Sequence, residues 1–419
     1  MTMNLPIVSL LTQKKQKVNK LSFSLILLFP IFLISGNFLI NLFYVSISIL
    51  SILNFNQKKD FLTSNIFYLL VFFLICLSMN LLFSVNFSNS YPRVVKFLLI
   101  ILFAREIFNL VNKEEIYFEK ITKFWTIVYF VVTIDIIFEL IFGFNTLGFK
   151  SYLEGRVASF FGDELVVGTF YHFFSLIVLS FLVKNKYPNL WVVSLIILII
   201  SISFMIGERA NFIKLFFSVL LFVFLILKIN LIKKIGMIAI TLLIVGTIFL
   251  TNDSLKERYY NQISIIYSLD GFKRYYKESL YGAHQNAAYK IFQDNVLFGI
   301  GLKNFRDESK KSIYENPNFK LTTGRSATHP HQIHLELLSE TGLLGYISFL
   351  ILVLFSIVIS TKNYLKYKNP YQLSALIYII SCLIPLLPSG SLFSTFFGGI
   401  FWFSFGLMIS FNKNLKLKF

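Results

Sequence analysis

Three of the five histidines, His329, His331 and His334, fall within six residues of THPHQIHLELLSETGLLGY, immediately before the chain turns apolar. An imidazole titrates near neutrality, so such a residue can take a proton from a hydroxyl as a general base. Two other chemistries compete. His331 and His334, at i and i+3, share a face if a helix has begun there, and with Glu336 or Glu340 they could bind zinc. Against zinc stand the lack of an H-E-x-x-H pattern and a spacing that fits no standard ligand set. The blandest reading is that the imidazoles only titrate at an interface. His329 reads as a helper or a surface residue, and Pro330 suits the first turn of a helix.

The arginines are the second candidate group. There are eight, at 93, 105, 156, 209, 258, 274, 306 and 325, against a lysine-rich background. A guanidinium offers a planar, bidentate grip on phosphate or carboxylate that lysine does not. Arg209, in GERAN, and Arg156, in GRVASFF, stand in short polar breaks between apolar runs. Glu208 could orient Arg209 through a carboxylate–guanidinium contact. The alternative for Arg209 is an arginine that merely snorkels to an interface.

The elements that must position these groups are membrane helices. Of the 419 residues, 56% are hydrophobic and only 14% charged, with a mean hydropathy of +0.71. Soluble domains carry roughly 25% charged residues. The net charge of +18 would suit a nucleic-acid partner, but its lysines fall in short loops, as membrane topology requires, so none is expected. Cys76 and Cys382 lie within apolar runs, which argues against a disulfide framework or a cysteine-based metal site.

Apolar runs of roughly 20 residues, the length that spans a bilayer as helix, recur along the chain. About 12 spans are expected, near 21–35, 37–54, 63–84, 94–112, 124–142, 166–183, 190–206, 211–228, 233–250, 342–360, 373–388 and 393–411. Lys14, Lys15, Lys17 and Lys20 precede the first of them with no cleavage site after it, so it reads as a retained helix. Gly36-Asn37 reads as a kink or a tight hairpin. The spans lack the alternation of a membrane barrel, which leaves an all-α polytopic fold.

With the N-terminus in the cytoplasm, every inside segment, NQKKD and the tail NKNLKLKF included, carries lysine, as the positive-inside rule asks. No arginine falls inside, and all but Arg105 map to the outer side or its boundary. Three regions follow: 1–250 with about nine helices, a long outer loop 251–341, and 342–419 with about three. A loop of that length tends to carry function. Its tyrosines and short amphipathic stretches, such as HQNAAYKIFQDN, predict a mainly helical piece lying against the membrane.

NAAYKIFQDNVLFGIGLKNFR followed by HPHQIHLELLSETGLLGY, after the ninth span, resembles the O-antigen ligase and polymerase superfamily. That family shows A-x-x-I-F-x-D-N-P-x-x-G-x-G-x-x-N-F, then H-x-H-N-x-x-L-x-x-x-x-E-x-G-x-x-G. Here Val296 replaces the proline and Gln332 the asparagine. GERANF is similar to the family's short arginine-bearing outer loop. GRVASFFGDELVVGTF is similar to its polymerase-type motif.

The resemblance implies a GT-C-like membrane glycosyltransferase working at the periplasmic face of the bacterial inner membrane, with both termini cytoplasmic. The implied donor is an undecaprenyl-diphosphate-linked oligosaccharide, and the acceptor a sugar hydroxyl of another lipid-linked repeat unit or of lipid A core. No cofactor, metal or nucleotide sugar is implied; a chain-length regulator is among the partners the resemblance implies. By family position His331 would activate the acceptor and Arg209 would hold the diphosphate, with Arg156, His329 and Glu340 nearby. The family's second loop arginine is missing from its usual place before A-x-x-I-F, leaving Arg274, Arg306 and Arg325 as candidates. Polymerase is the first reading and ligase the second. A flippase, the reading from another class, would instead need ionisable groups near mid-membrane; Arg105-Glu106 is the one feature leaning that way.

Overall fold

The structure is a computed structural model that describes residues 19–54, 61–113, 115–266, 269–385 and 387–412. Lys14, Lys15, Lys17, the NQKKD segment and the tail beyond Asn412 lie outside the described residues. The described residues form helices and contain no strand. Backbone amides in lipid must bond within their own segment, and helices satisfy this.

Each expected span overlaps a helix, although the one expected at 373–388 is helical only as far as Cys382. The first is α1 (19–27) continued by α2 (Phe29–Ile34). Then come α3 (Asn37–Leu53), α4 (Asn65–Leu82), α5 (Phe87–Lys113), α6 (Glu115–Phe142), α7 (Val167–Lys184), α8 (Asn189–Met205), α9 (Arg209–Ile226) and α10 (Leu231–Thr251). The segment that follows holds α11 (Asp253–Ile266), α12 (Gly271–Glu278), α13 (Leu280–Asp294) and the short α14 (Phe305–Glu308). α15 (Ile333–Tyr367), α16 (Pro370–Cys382) and α17 (Phe396–Ser410) complete the chain. Six helices are long and apolar enough to cross a membrane: α4, α6, α7, α9, α10 and α15. α3, α8, α16 and α17 are shorter apolar helices. The chain is a multi-pass membrane protein.

Gly36 resolves as a hairpin: α3 folds back on α2, and Phe29 packs on Phe43 with ring centroids 5.2 Å apart. α17 and most of α7 are buried, whereas α10 lies at the edge. α17 packs on α5 and α16, and α15 on α4. Phe29, Trp125, Phe173 and Phe403 interlock at the centre, where aromatic pairs add to simple burial.

Two backbone clasps position everything discussed below. α15 breaks at Gly342 (φ 64°), and there the VLFGIG turn folds onto it. Leu343 N donates to Val296 O (2.8 Å) and Gly301 N to Glu340 O (2.8 Å). A side chain at Gly342 would meet Leu297 O at 2.4 Å, so both its left-handed φ and this close approach require glycine. The second clasp joins GRVAS to GERAN: Val157 N donates to Ile206 O (3.2 Å). Glu139, near the end of α6, anchors the same loop by accepting from Ala158 N (2.9 Å) and Ser159 N (2.6 Å).

Candidate active site

At the end of the bundle that carries the 251–341 segment, α7, α9, α11 and the 387–390 loop surround a cavity of about 380 Å³. Arg156, Arg209, Arg258, His329 and His331 all line it.

The arginine wall begins at Gly207. Its φ of 77° turns the chain from α8 into α9, and a Cβ there would lie 1.9 Å from Gly155 O. Glu208 holds the N-cap position of α9 without a side-chain capping bond, and Arg209 is the first helical residue. The carboxylate of Glu208 pairs with Arg156 (3.0 Å), not with Arg209 as its neighbouring position suggested. It also accepts from Gly168 N (3.0 Å) and Asn211 Nδ2 (2.6 Å), which fixes its orientation. Arg209 and Arg258 brace one another through backbone: Arg209 Nη1 donates to Arg258 O (2.9 Å), and Arg258 Nε to Gly207 O (2.8 Å). A guanidinium has five N–H groups, so each keeps donors for a ligand. Burial first, then the charges of Arg209 and Arg156, push Arg258 below its ordinary value. Three cations held together against their own repulsion make a site that favours a multiply charged anion.

The histidine wall is built by the 328–332 turn. His331 adopts φ 56°, a left-handed conformation that costs a non-glycine residue about 1 kcal/mol or more. Its ring lies 4.1 Å from His329 and 5.5 Å from His284, between centroids. Among the described residues, its ring nitrogens have no hydrogen-bond partner. Burial, reinforced by His284, lowers His331 to about 4. Its imidazole is therefore neutral at physiological pH, with a lone pair free to accept a proton, but it is a weaker base than an ordinary histidine. Burial, then His331 and Lys303, hold His329 well below its ordinary value; its Nε2 meets Ser389 O (3.3 Å). Ser389 N in turn donates to His331 O (2.9 Å). Lys214, buried in α9, donates to Pro388 O (2.6 Å), so one lysine holds the loop on which both histidines lean.

The remaining sequence candidates lie elsewhere. His334 turns away, with its two ring nitrogens on Leu383 O (2.9 Å) and Tyr346 Oη (3.1 Å). The histidines that meet are therefore 284, 329 and 331, and among the described residues no group is arranged to hold a metal ion. Gln332 caps α15 by accepting from Leu335 N (2.7 Å). Arg274 is exposed and paired with Glu278 (3.1 Å), and Arg306 is also exposed; neither lines the cavity. Arg325 is buried and binds the carbonyls of Thr322, Lys310 and Lys311. Its own carbonyl meets His284 Nδ1 (2.9 Å), so it shapes the histidine wall from behind. Glu340 accepts from Phe305 N (3.3 Å) and stays inside the Gly342 clasp.

Sequence reading missed Arg258 and His284. The restriction of arginine to one side flagged Arg258 only as one of a group, and His284 lies 45 and 47 residues from His329 and His331 in a helix that reads as ordinary.

Fold and site together define a multi-pass helical membrane protein with a cationic, histidine-walled cavity at one end of its bundle. Residues 193–350 match the O-antigen ligase family, Wzy_C. The match runs from α8 into α15 and includes Arg209, Arg258, His329 and His331, with Arg156 upstream of it. No curated protein matches the chain.

Proposed function

We propose that the chain is a surface-polysaccharide polymerase, transferring a glycan from undecaprenyl diphosphate to a hydroxyl of another lipid-linked repeat unit at the periplasmic face. The observation that carries this is the meeting of Arg156, Arg209 and Arg258 with an unbonded, neutral His331 around one cavity. The family matched by residues 193–350 acts on lipid-linked glycans and supports the same chemistry.

The acceptor oxygen bonds to the anomeric carbon as the carbon–oxygen bond to the diphosphate breaks. The bonding pair leaves with the lipid diphosphate, where the three guanidinium groups stabilise the growing charge. His331 takes the acceptor proton. Attack from the face opposite the leaving group inverts the anomeric centre.

Ligation to lipid A core is the second reading, favoured by the description of the matched family as O-antigen ligase. Deleting the gene and separating lipopolysaccharide on gels decides between them. Loss of a polymerase leaves single repeat units on the core, and loss of a ligase leaves lipid-linked polymer and bare core. Normal polysaccharide in the deletion strain, with slowed crossing of lipid-linked units, would reject both for a flippase.

A further inference from the structure

A second group of cations stands beyond His329. Arg93 and Lys96 lie at i and i+3 on α5, hence on one face. Lys303 is brought to them by a turn bolted to the start of that helix. Ser90 Oγ donates to Leu302 O (2.8 Å), Asn89 Nδ2 to Asn304 Oδ1 (3.1 Å), and Asn304 Nδ2 to Ser84 Oγ (2.9 Å). Lys303 itself adopts a left-handed φ of 65°. Lys96 feels the charges of both Arg93 and Lys303, and Lys303 also acts on His329.

These cations make no direct ion pair among the described residues, but the charge of Lys303 acts on Glu336 and Glu340 and that of Arg93 on Glu340. Among the described residues, none of the three has a carboxylate within 4.0 Å. The nearby carboxylates bond elsewhere: Glu336 accepts from Ser391 Oγ and Leu392 N, and Glu340 Oε1 from Phe305 N, while Glu340 Oε2 is buried without a hydrogen-bond partner among the described residues. Arg93 Nε is buried with no partner. Lys96 makes only long contacts, to Ser394 O (3.4 Å) and Thr395 Oγ1 (3.3 Å). That contact falls on the segment whose earlier part, Leu387–Gly390, walls the arginine cavity. Unpaired cations grouped at a partly buried site are stabilised when an anion arrives.

We infer that Arg93, Lys96 and Lys303 form a second anion site, separate from the arginine cavity, that holds a phosphate group of the acceptor. The inference rests on the transferase reading, in which the arginine cavity takes the donor diphosphate. A second lipid-linked diphosphate and a phosphorylated lipid A core share the required chemistry.

The first test needs no turnover. Inorganic diphosphate is titrated calorimetrically into the full-length protein in nanodiscs. Two sites are expected. Arg93→Gln/Lys303→Gln should remove one, and Arg156→Gln/Arg209→Gln the other. A single site in the unaltered protein, or two in the first double variant, overturns the inference. Lys303→Gln alone, at a half-buried position, serves if the double variant does not fold.

The second test measures transfer to three acceptors ending in the same sugar: a lipid-diphosphate glycan, a phosphorylated lipid A core and a phosphate-free glycan. Lys303→Gln should raise KM ~10-fold for the phosphate-bearing acceptor in use, leaving donor KM and the phosphate-free acceptor unchanged. The acceptor that responds identifies the source of the phosphate. Equal losses with all three would mean a structural role and overturn the inference. No transfer to any acceptor by the unaltered protein would sink the transferase reading, while the titration still decides the anion site.

Discussion

His331 combines three properties that rarely coincide: a left-handed backbone, an unbonded ring and a lowered proton affinity. Asparagine tolerates positive φ, so His331→Asn removes the base with little backbone penalty. It should cost ~10²–10⁴-fold in transfer rate with an unchanged melting temperature, and retention of most activity would reject the base assignment. Because His331 is lowered to about 4, kcat/KM should hold well below the ordinary histidine range before its acid limb falls. Removing the like charge in His284→Gln should move that limb upward. The stability linkage has the same sign: the folded site resists protonation, so stability is lost as pH falls from ~6.5, the unfolded value, through about 4. Among the arginines, Arg258→Gln should lower activity by ~10–100-fold, the scale of a charged hydrogen bond. Arg274→Gln, at an exposed ion pair, should change it by less than ~2-fold. Equal losses in the two variants would undo the placement of the diphosphate.

At the scale of elements, the site depends on the clasp between two short loops. Gly207→Ala places a Cβ 1.9 Å from Gly155 O at φ 77°. The strain and the shift of loops should destabilise the protein by roughly 2–4 kcal/mol and separate Arg156 from Glu208. Gly236→Ala is the control, since its Cβ meets open space within α10, where alanine favours helix by ~1 kcal/mol. Thermal melting of the purified protein compares them; equal melting temperatures would contradict the close approach. Lys214→Met keeps the length of the buried side chain but drops its bond to Pro388 O. The expected result is reduced transfer at near-normal stability, with the acid limb of the pH profile displaced because the loop behind His329 and His331 has shifted.

At the scale of the whole molecule, the proposed topology puts the 251–341 segment outside the cell and lysine-rich turns inside. Cys76 and Cys382 are buried, so single reporter cysteines can be read against them. A membrane-impermeant thiol reagent added to intact spheroplasts should label Lys320→Cys but not Lys362→Cys, both exposed positions. The reverse pattern would invert the topology and place the cavity in the cytoplasm.

Helix positions were legible in the sequence because lipid imposes one rule on every segment, a long apolar run with satisfied backbone, and that rule is local. Arg156, Arg209, His329 and His331 were legible through their motifs and polar breaks. Their partners were not. Glu208 bonds Arg156 across 52 residues, because the Gly207–Gly155 approach overrides its adjacency to Arg209. Likewise His284, not His334, joins the histidine wall, because the 328–332 turn aims His331 back toward α13. The sequence alone determined which elements form and which polar breaks carry the candidate residues. Only tertiary structure decided which side chains meet, since that depends on glycine clasps between segments far apart in the chain.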